Sequence, residues 1–264
     1  MTIIALAGPR TSRIELGAGV IPTYGRHPYV MAQQALTVRG ATGNRFTLGV
    51  GLSHQVVIES MWGLSSEHPA RHMQEYLSVL LPLVREGRVA FKGELFRVTA
   101  GVQVPGATPP PVLVAALAPR MLRIAGEMAD GTVTWMAGLK TVETHVVPTI
   151  SAAAKAAGRP APRIGVGLPI CVHDDVAAAR EAANNVFRMY GALPNYRRML
   201  DKEGATGPGD VAIVGDEASV ETQLRALASV GVTDLVAPIY GTGEDRDASV
   251  ARTRALLKSL VGKV

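Results

Sequence analysis

"LGAGVIPTYGRHP", Leu16 to Pro28, carries the first decision about this chain. A short apolar run with small residues at alternate positions meets Pro22, and Tyr24, Arg26 and His27 follow at once. Gly17-Ala18-Gly19 invites comparison with a dinucleotide-binding loop. That loop needs a third glycine three residues after the second, where a helix opens beneath the pyrophosphate. Pro22 stands at that position. Gly49/Gly51 and Gly165/Gly167 fail in the same way, with His54 and Ile170 in the third place, and the Walker A pattern is absent. The three pairs therefore read as strand ends. Glycines two apart share one face of a strand, and they weaken it unless backbone or a ligand must come close. Two of the pairs precede polar clusters, Tyr24-Gly25-Arg26-His27 and Ser53-His54. That arrangement points to a ligand at the carboxyl ends of parallel strands.

The hydrophobic period switches repeatedly along the rest of the chain. Strands are expected at Ile14–Val20, Phe46–Val50, Val112–Ala115, Thr132–Trp135, Ile164–Val172 and Leu235–Pro238. Helices are expected at residues 2–8, His27–Ala41, Pro69–Arg85, Pro119–Ala129, Val142–Ala157, Asp175–Asp201, Ala218–Val230 and Asp247–Leu260. Pro69 and Pro119 suit first helical turns, and Asp174 and Asp216 suit caps. Such alternation predicts an α/β fold with a parallel sheet of six strands. Val89–Val104 departs from it, reading as a hairpin that turns at Lys92-Gly93. No low-complexity linker divides residues 1–264, which read as one domain.

A hydrophobic content of 47% over 264 residues is that of a folded globular chain. The formal charge of +5 is spread over basic residues interleaved with acidic ones, so no nucleic-acid patch is indicated. Cys171 is the lone cysteine, which excludes an internal disulfide and a cysteine metal cluster. Neither an export signal nor an apolar run of membrane-spanning length stands out, so a cytoplasmic protein with no membrane partner is expected.

Other candidate motifs are weak. His68 and His72 have metal-ligand spacing, but no third ligand and no catalytic glutamate accompany them. Ser53-His54 are adjacent rather than paired across a fold, and no G-x-S-x-G elbow exists. Trp62 and Trp135 suit a core, although Trp135 falls at a strand end. In "VAALAPRML" and "DGTVTWMAG", small residues at a strand end precede a turn; the first opens a helix at Pro119 whose amides suit an anion.

Three segments in order, "TSRIELGAGVIPTYGRHPYVMAQQALTV", "GNRFTLGVGLSH" and "PPPVLVAALAPRMLRIAGEMADGTVTWMAG", resemble the luciferase-like family. Within it they are most similar to the coenzyme F420-dependent oxidoreductase branch, and "AGRPAPR" and "GVTDLVAP" extend the likeness along the chain. The resemblance implies a (β/α)8 TIM barrel. Members usually begin with a strand, a helix and a second strand ahead of the segment equivalent to Thr11–Val20. The six strands here then correspond to the third to eighth.

By the same resemblance, Gly19 and Val20 form a bulge, with a non-prolyl cis peptide, behind the coenzyme ring. Gly51 and Ser53 lie near the ring and its ribityl chain. Ala116, Leu117, Ala118 and Met121 meet the phosphate, with Thr134, Trp135 and Met136 in the neighbouring turn. The implied chemistry is hydride transfer between F420 and a small organic substrate, with Tyr24, His27 and His54 as candidate proton donors. FMN-dependent monooxygenation is the alternative within the family, and a cofactor-binding but catalytically silent relative is a third reading. Relatives also imply pairing of two copies.

Overall fold

A computed structural model describes residues Met1–Val264. In chain order the elements are α1 (Thr2–Ala7), β1 (Leu16–Pro22), α2 (Pro28–Ala41), β2 (Phe46–Gly51), α3 (Pro69–Glu86), β3 (Arg88–Lys92), β4 (Arg97–Gly101), β5 (Val112–Ala115), α4 (Pro119–Met128), β6 (Gly131–Trp135), α5 (Leu139–Thr141), α6 (Val147–Ala156), β7 (Arg163–Gly167), β8 (Ile170–Val172), α7 (Val176–Val186), α8 (Arg188–Ala192), α9 (Pro194–Glu203), α10 (Pro208–Val211), β9 (Ile213–Gly215), α11 (Glu217–Ser229), β10 (Asp234–Val236) and α12 (Arg246–Leu260). Two π-helical turns, Val57–Met61 and Val142–Val146, interrupt this sequence. The fold is α/β, and its main sheet has the strand order β1-β2-β5-β6-β7-β10. The pairs β1–β2, β2–β5 and β7–β10 are parallel.

Contacts divide the chain into two compact units. The first comprises Met1–Ala116, Arg120–Thr132 and Ala153–Pro162. Its core rests on β2, buried along its whole length, and on the apolar stripe of α3. His72, Tyr76, Leu80 and Leu83 recur at helical spacing on that stripe and are all buried. On the same helix, Glu75 accepts the backbone N–H groups of Glu94, Leu95 and Phe96 at 3.1, 2.8 and 3.1 Å. The expected hairpin, β3 paired antiparallel with β4, is thereby fastened to α3.

The second unit comprises Leu117–Pro119, Val133–Ala152 and Arg163–Val264. A cluster of Cys171, Ala179, Ala183, Ala212, Val214 and Tyr240 forms one part of its core. Arg163 pairs with Asp234 where β7 runs beside β10.

The structure corrects three local expectations. Ile164–Val172 is two strands, because Pro169 has no N–H for a ladder and breaks the run. The second of them, β8, pairs in parallel with β9, a three-residue strand too short to register as a period. The helix expected at Asp175–Asp201 is three helices. The first closes at Phe187, and Leu193 is extended ahead of Pro194. Its N-cap is Asp175, whose carboxylate accepts the Ala178 amide at 3.0 Å, while Asp174 instead pairs with Arg252. No helix is long and apolar enough to cross a membrane.

Candidate functional site

In the first unit, the ends of β1 and β2 are built by a slip in register. The strands pair from Leu16 with Phe46 to Ala18 with Leu48, then resume at Ile21 with Val50 and Pro22 with Gly51. Gly19 and Val20 occupy the resulting bulge, and the peptide between them is cis, as the resemblance implied.

The glycines around this bulge have different causes. A Cβ on Gly49 would lie 2.0 Å from the carbonyl oxygen of Ala18, so this glycine permits close approach of two backbones. A Cβ on Gly51 would lie 2.7 Å from Val20 Cγ2 and 3.0 Å from Ala115 Cβ. Gly19, by contrast, has nothing within 4 Å of the place its Cβ would take. Open space therefore lies against its backbone. Just beyond β2, Ser53 holds φ +70°, an uncommon conformation for a residue with a side chain.

After Pro22 the chain turns inward. Thr23 N donates to Gly51 O at 2.8 Å, tying the turn to the end of β2. Tyr24 is buried, and its ring stacks on His72 of α3. His72 Nε2 lies 3.1 Å from Thr23 Oγ1, and its ring also contacts Tyr76 and Phe96. Burial pushes the His72 imidazole down to about 4, despite the opposing charge of Glu75. The ring is therefore neutral near pH 7. The hydroxyl of Tyr24 is buried with no hydrogen-bond partner. Burial, reinforced by the negative charge of Glu59, raises its pKa, so the phenol keeps its proton.

The other two candidate donors are placed differently. His27 caps α2, its Nδ1 accepting the Tyr29 amide at 3.2 Å, and its ring meets the edge of Phe96. His54 is half-buried after β2, and burial lowers its pKa. Its backbone carbonyl accepts from Val57 and Ile58, opening the first π-helical turn. Ala116 ends this unit's main segment and is buried, as is Met121 on α4.

In the second unit, Leu117 O accepts a hydrogen bond of 2.7 Å from His145 Nε2, which makes Nε2 the protonated nitrogen. Ala118 is exposed. Thr134 Oγ1 donates to Gly165 O at 3.4 Å, and Met136 N donates to Gly167 O at 3.1 Å with Met136 at φ +58°. Trp135 sits against Gly167, where an added Cβ would come within 2.7 Å of the indole. Its edge contacts go to Phe187 and Tyr190, and its Nε1–H is buried without a partner.

Sequence reasoning missed His72, Tyr76 and His145. The sequence presents His72 only as half of a pair with His68 at metal-ligand spacing. The usable signal was its spacing to Tyr76 and Leu80, which puts it on the buried face of α3.

The chain belongs to the luciferase-like monooxygenase family, whose model matches residues 1–260. A 5,10-methylenetetrahydromethanopterin reductase of Methanopyrus kandleri is 28% identical over 295 residues, covering 95% of this chain and 83% of that protein. An F420-dependent glucose-6-phosphate dehydrogenase of Nakamurella multipartita is 29% identical over 224 residues, covering 83% of this chain and 65% of that protein. The solved coenzyme F420-dependent tetrahydromethanopterin reductase from Methanopyrus kandleri has a TM-score of 0.76 at 24% identity. That match covers 94% of this chain and 84% of the other, and it shows a shared fold.

Proposed function

We propose that this member of the luciferase-like monooxygenase family is a coenzyme F420-dependent oxidoreductase acting on a small organic substrate, with residues 1–264 serving as one domain. The observation that carries this reading is the end of β1. Gly19 leaves open space against its backbone, while Tyr24, on the same strand end, buries a hydroxyl that has no partner. A flat ring fits the first feature and a substrate oxygen fits the second. The F420-dependent relative supports the choice of coenzyme.

When bound, the deazaflavin supplies a hydride, two electrons at once. Gly19 and Val20 would back the ring, and Gly51 and Ser53 would border it at the end of β2. Tyr24 would hold its phenolic proton toward the substrate oxygen and donate it there. The phenolate left on Tyr24 would then be reprotonated from solvent. His54, neutral through burial, orients the substrate through a hydrogen bond. We assign His27 to capping, because its Nδ1 is engaged by the Tyr29 amide.

Absorbance titration of the apoprotein with F420 and, separately, with FMN tests the assignment. Saturable F420 binding with no FMN binding is expected. Saturation by FMN alone would move the protein to the monooxygenase branch. Binding of F420 without hydride exchange would mark it as catalytically silent.

A further inference from the structure

The chemistry proposed for Tyr24 asks for a phenol that keeps its proton, shares it with no neighbour and is held in place. A side chain that fixed Tyr24 through its hydroxyl would defeat this, because an acceptor there competes for the proton. The ring is held another way. The His72 imidazole lies face to face with the phenol, their centroids 4.0 Å apart. Its Nε2 lies 3.1 Å from Thr23 Oγ1, so the same ring also ties the residue before Tyr24. Thr23 N donates in turn to Gly51 O, which carries the hold to the end of β2. The Tyr24 hydroxyl itself stays buried and unpartnered. A buried hydroxyl without a partner is disfavoured, and a tyrosine ring free to turn would take it to water. His72 stands against that turn.

The imidazole is itself braced. It is buried on the apolar stripe of α3. Phe96, in the turn between β3 and β4, sets its ring edge-on to His72 with centroids 5.6 Å apart. Glu75, one turn along α3 from His72, accepts the Phe96 amide and fixes that turn. The hairpin, a departure from the β/α alternation, thus backs the ring that backs Tyr24. An imidazole suits the place because it combines a flat face with a ring nitrogen that can reach Thr23. Phenylalanine lacks the second and glutamine the first. Burial outweighs the charge of Glu75 and keeps the ring neutral near pH 7, so no cation lies on the phenol face to draw its proton off.

We propose that His72 is the positioning residue for the Tyr24 proton: it holds the phenol by its face and through Thr23, and leaves the hydroxyl free for a substrate oxygen. This assignment rests on the reading of Tyr24 as the proton donor.

The test reads the Tyr24 hydroxyl directly, by NMR of apoprotein labelled with carbon-13 at tyrosine Cζ. The Tyr24 signal is assigned from Tyr24→Phe. In an equal mixture of H2O and D2O, a hydroxyl that exchanges slowly with solvent gives two Cζ signals, and a rapidly exchanging one gives a single averaged signal. The parent should show two for Tyr24. His72→Gln keeps a hydrogen-bonding group for Thr23 but has no ring, and the two signals should merge. Leu80→Ala, on the same buried stripe of α3, should lower the melting temperature yet leave two signals, an outcome that separates positioning from general destabilisation. Thr23→Val takes the place of His72→Gln should that variant not fold; it removes only Oγ1, and exchange should again be faster than in the parent. A single signal in the parent, two unchanged signals in the folded variant, or equal merging in Leu80→Ala overturns the proposal. The readout uses neither coenzyme nor substrate, which keeps the two readings apart: unimpaired turnover in Tyr24→Phe counts against the donor, and an unmoved Cζ pair counts against His72.

Discussion

Tyr24 and His72 stack face to face, with ring centroids 4.0 Å apart and planes inclined by 11°. One ring comes from the turn after β1 and the other from α3. The hydrogen bond between His72 and Thr23 holds the same turn at the preceding residue. A neutral imidazole thus stacks on one face of the phenol and ties the residue before it, while the phenol's hydroxyl has no partner.

His72 makes stability depend on pH. Its folded-state pKa is depressed to about 4, below the unfolded value near 6.5, so the unfolded chain binds more protons between those limits. The contribution is complete above the unfolded pKa and is lost as pH falls toward the folded one, at most roughly 3 kcal/mol. Denaturant titrations from pH 4 to 7 should show this slope in the parent protein and a flatter one in His72→Phe. Equal slopes would remove His72 as the source.

Tyr24→Phe should separate stability from activity. Leaving a buried hydroxyl unpaired costs about 1–3 kcal/mol, so its removal should leave stability unchanged or raise it. The hydride-transfer step should slow by ~10²-fold or more, the range for losing a general acid, while F420 affinity stays constant. Single-turnover kinetics beside chemical unfolding would measure both. Unimpaired turnover would assign the proton to another group.

Glycine substitutions along the bulge should have opposite readouts. Gly49→Ala sets a Cβ 2.0 Å from a backbone oxygen, and the β1–β2 pair must part to admit it. Poor folding is the expected outcome. Gly19→Ala enters open space, so stability should change by no more than ~1 kcal/mol. The new methyl group occupies the place assigned to the coenzyme ring, and F420 affinity should fall at least tenfold. An F420 affinity equal to that of the parent would place the ring elsewhere.

Glu75 should act as an acid-sensitive latch on the β3–β4 hairpin. Burial opposes its ionisation, but the amides of Leu95, Glu94 and Phe96, with the charge of Arg71, outweigh that and hold its pKa below the usual value. Its contribution is therefore present above the unfolded carboxylate pKa and is lost as pH falls through the folded one. Glu75→Ala should leave three amides without their acceptor and speed hydrogen exchange at Glu94, Leu95 and Phe96. Unchanged exchange there would detach the hairpin from this carboxylate.

Much of the architecture was legible because it is local. The short apolar run at Val112–Ala115, the helix opened by Pro69 and the hairpin at Lys92-Gly93 all lie where pattern and turn chemistry place them. Absence of a third glycine was enough to reject a dinucleotide loop at Leu16–Pro28, and the family likeness supplied the cis peptide at Gly19–Val20. Failures came where a neighbour distant in sequence decides the outcome. The three residues of β9 become a strand because β8 lies beside them, and no period can be read over three positions.

The same division runs through the site. Tyr24, His27 and His54 were nameable from chemistry at a strand end, since residue type and position along one strand suffice for that. Their differing roles were not. A cap on α2, a stack on His72 and an unpartnered hydroxyl depend on which side chains α2 and α3 bring to the turn. Likewise, Gly19 and Gly49 are alike in the sequence, yet one faces open space and the other a carbonyl oxygen. Only the register slip between β1 and β2 tells them apart, because it sets how closely the backbones approach.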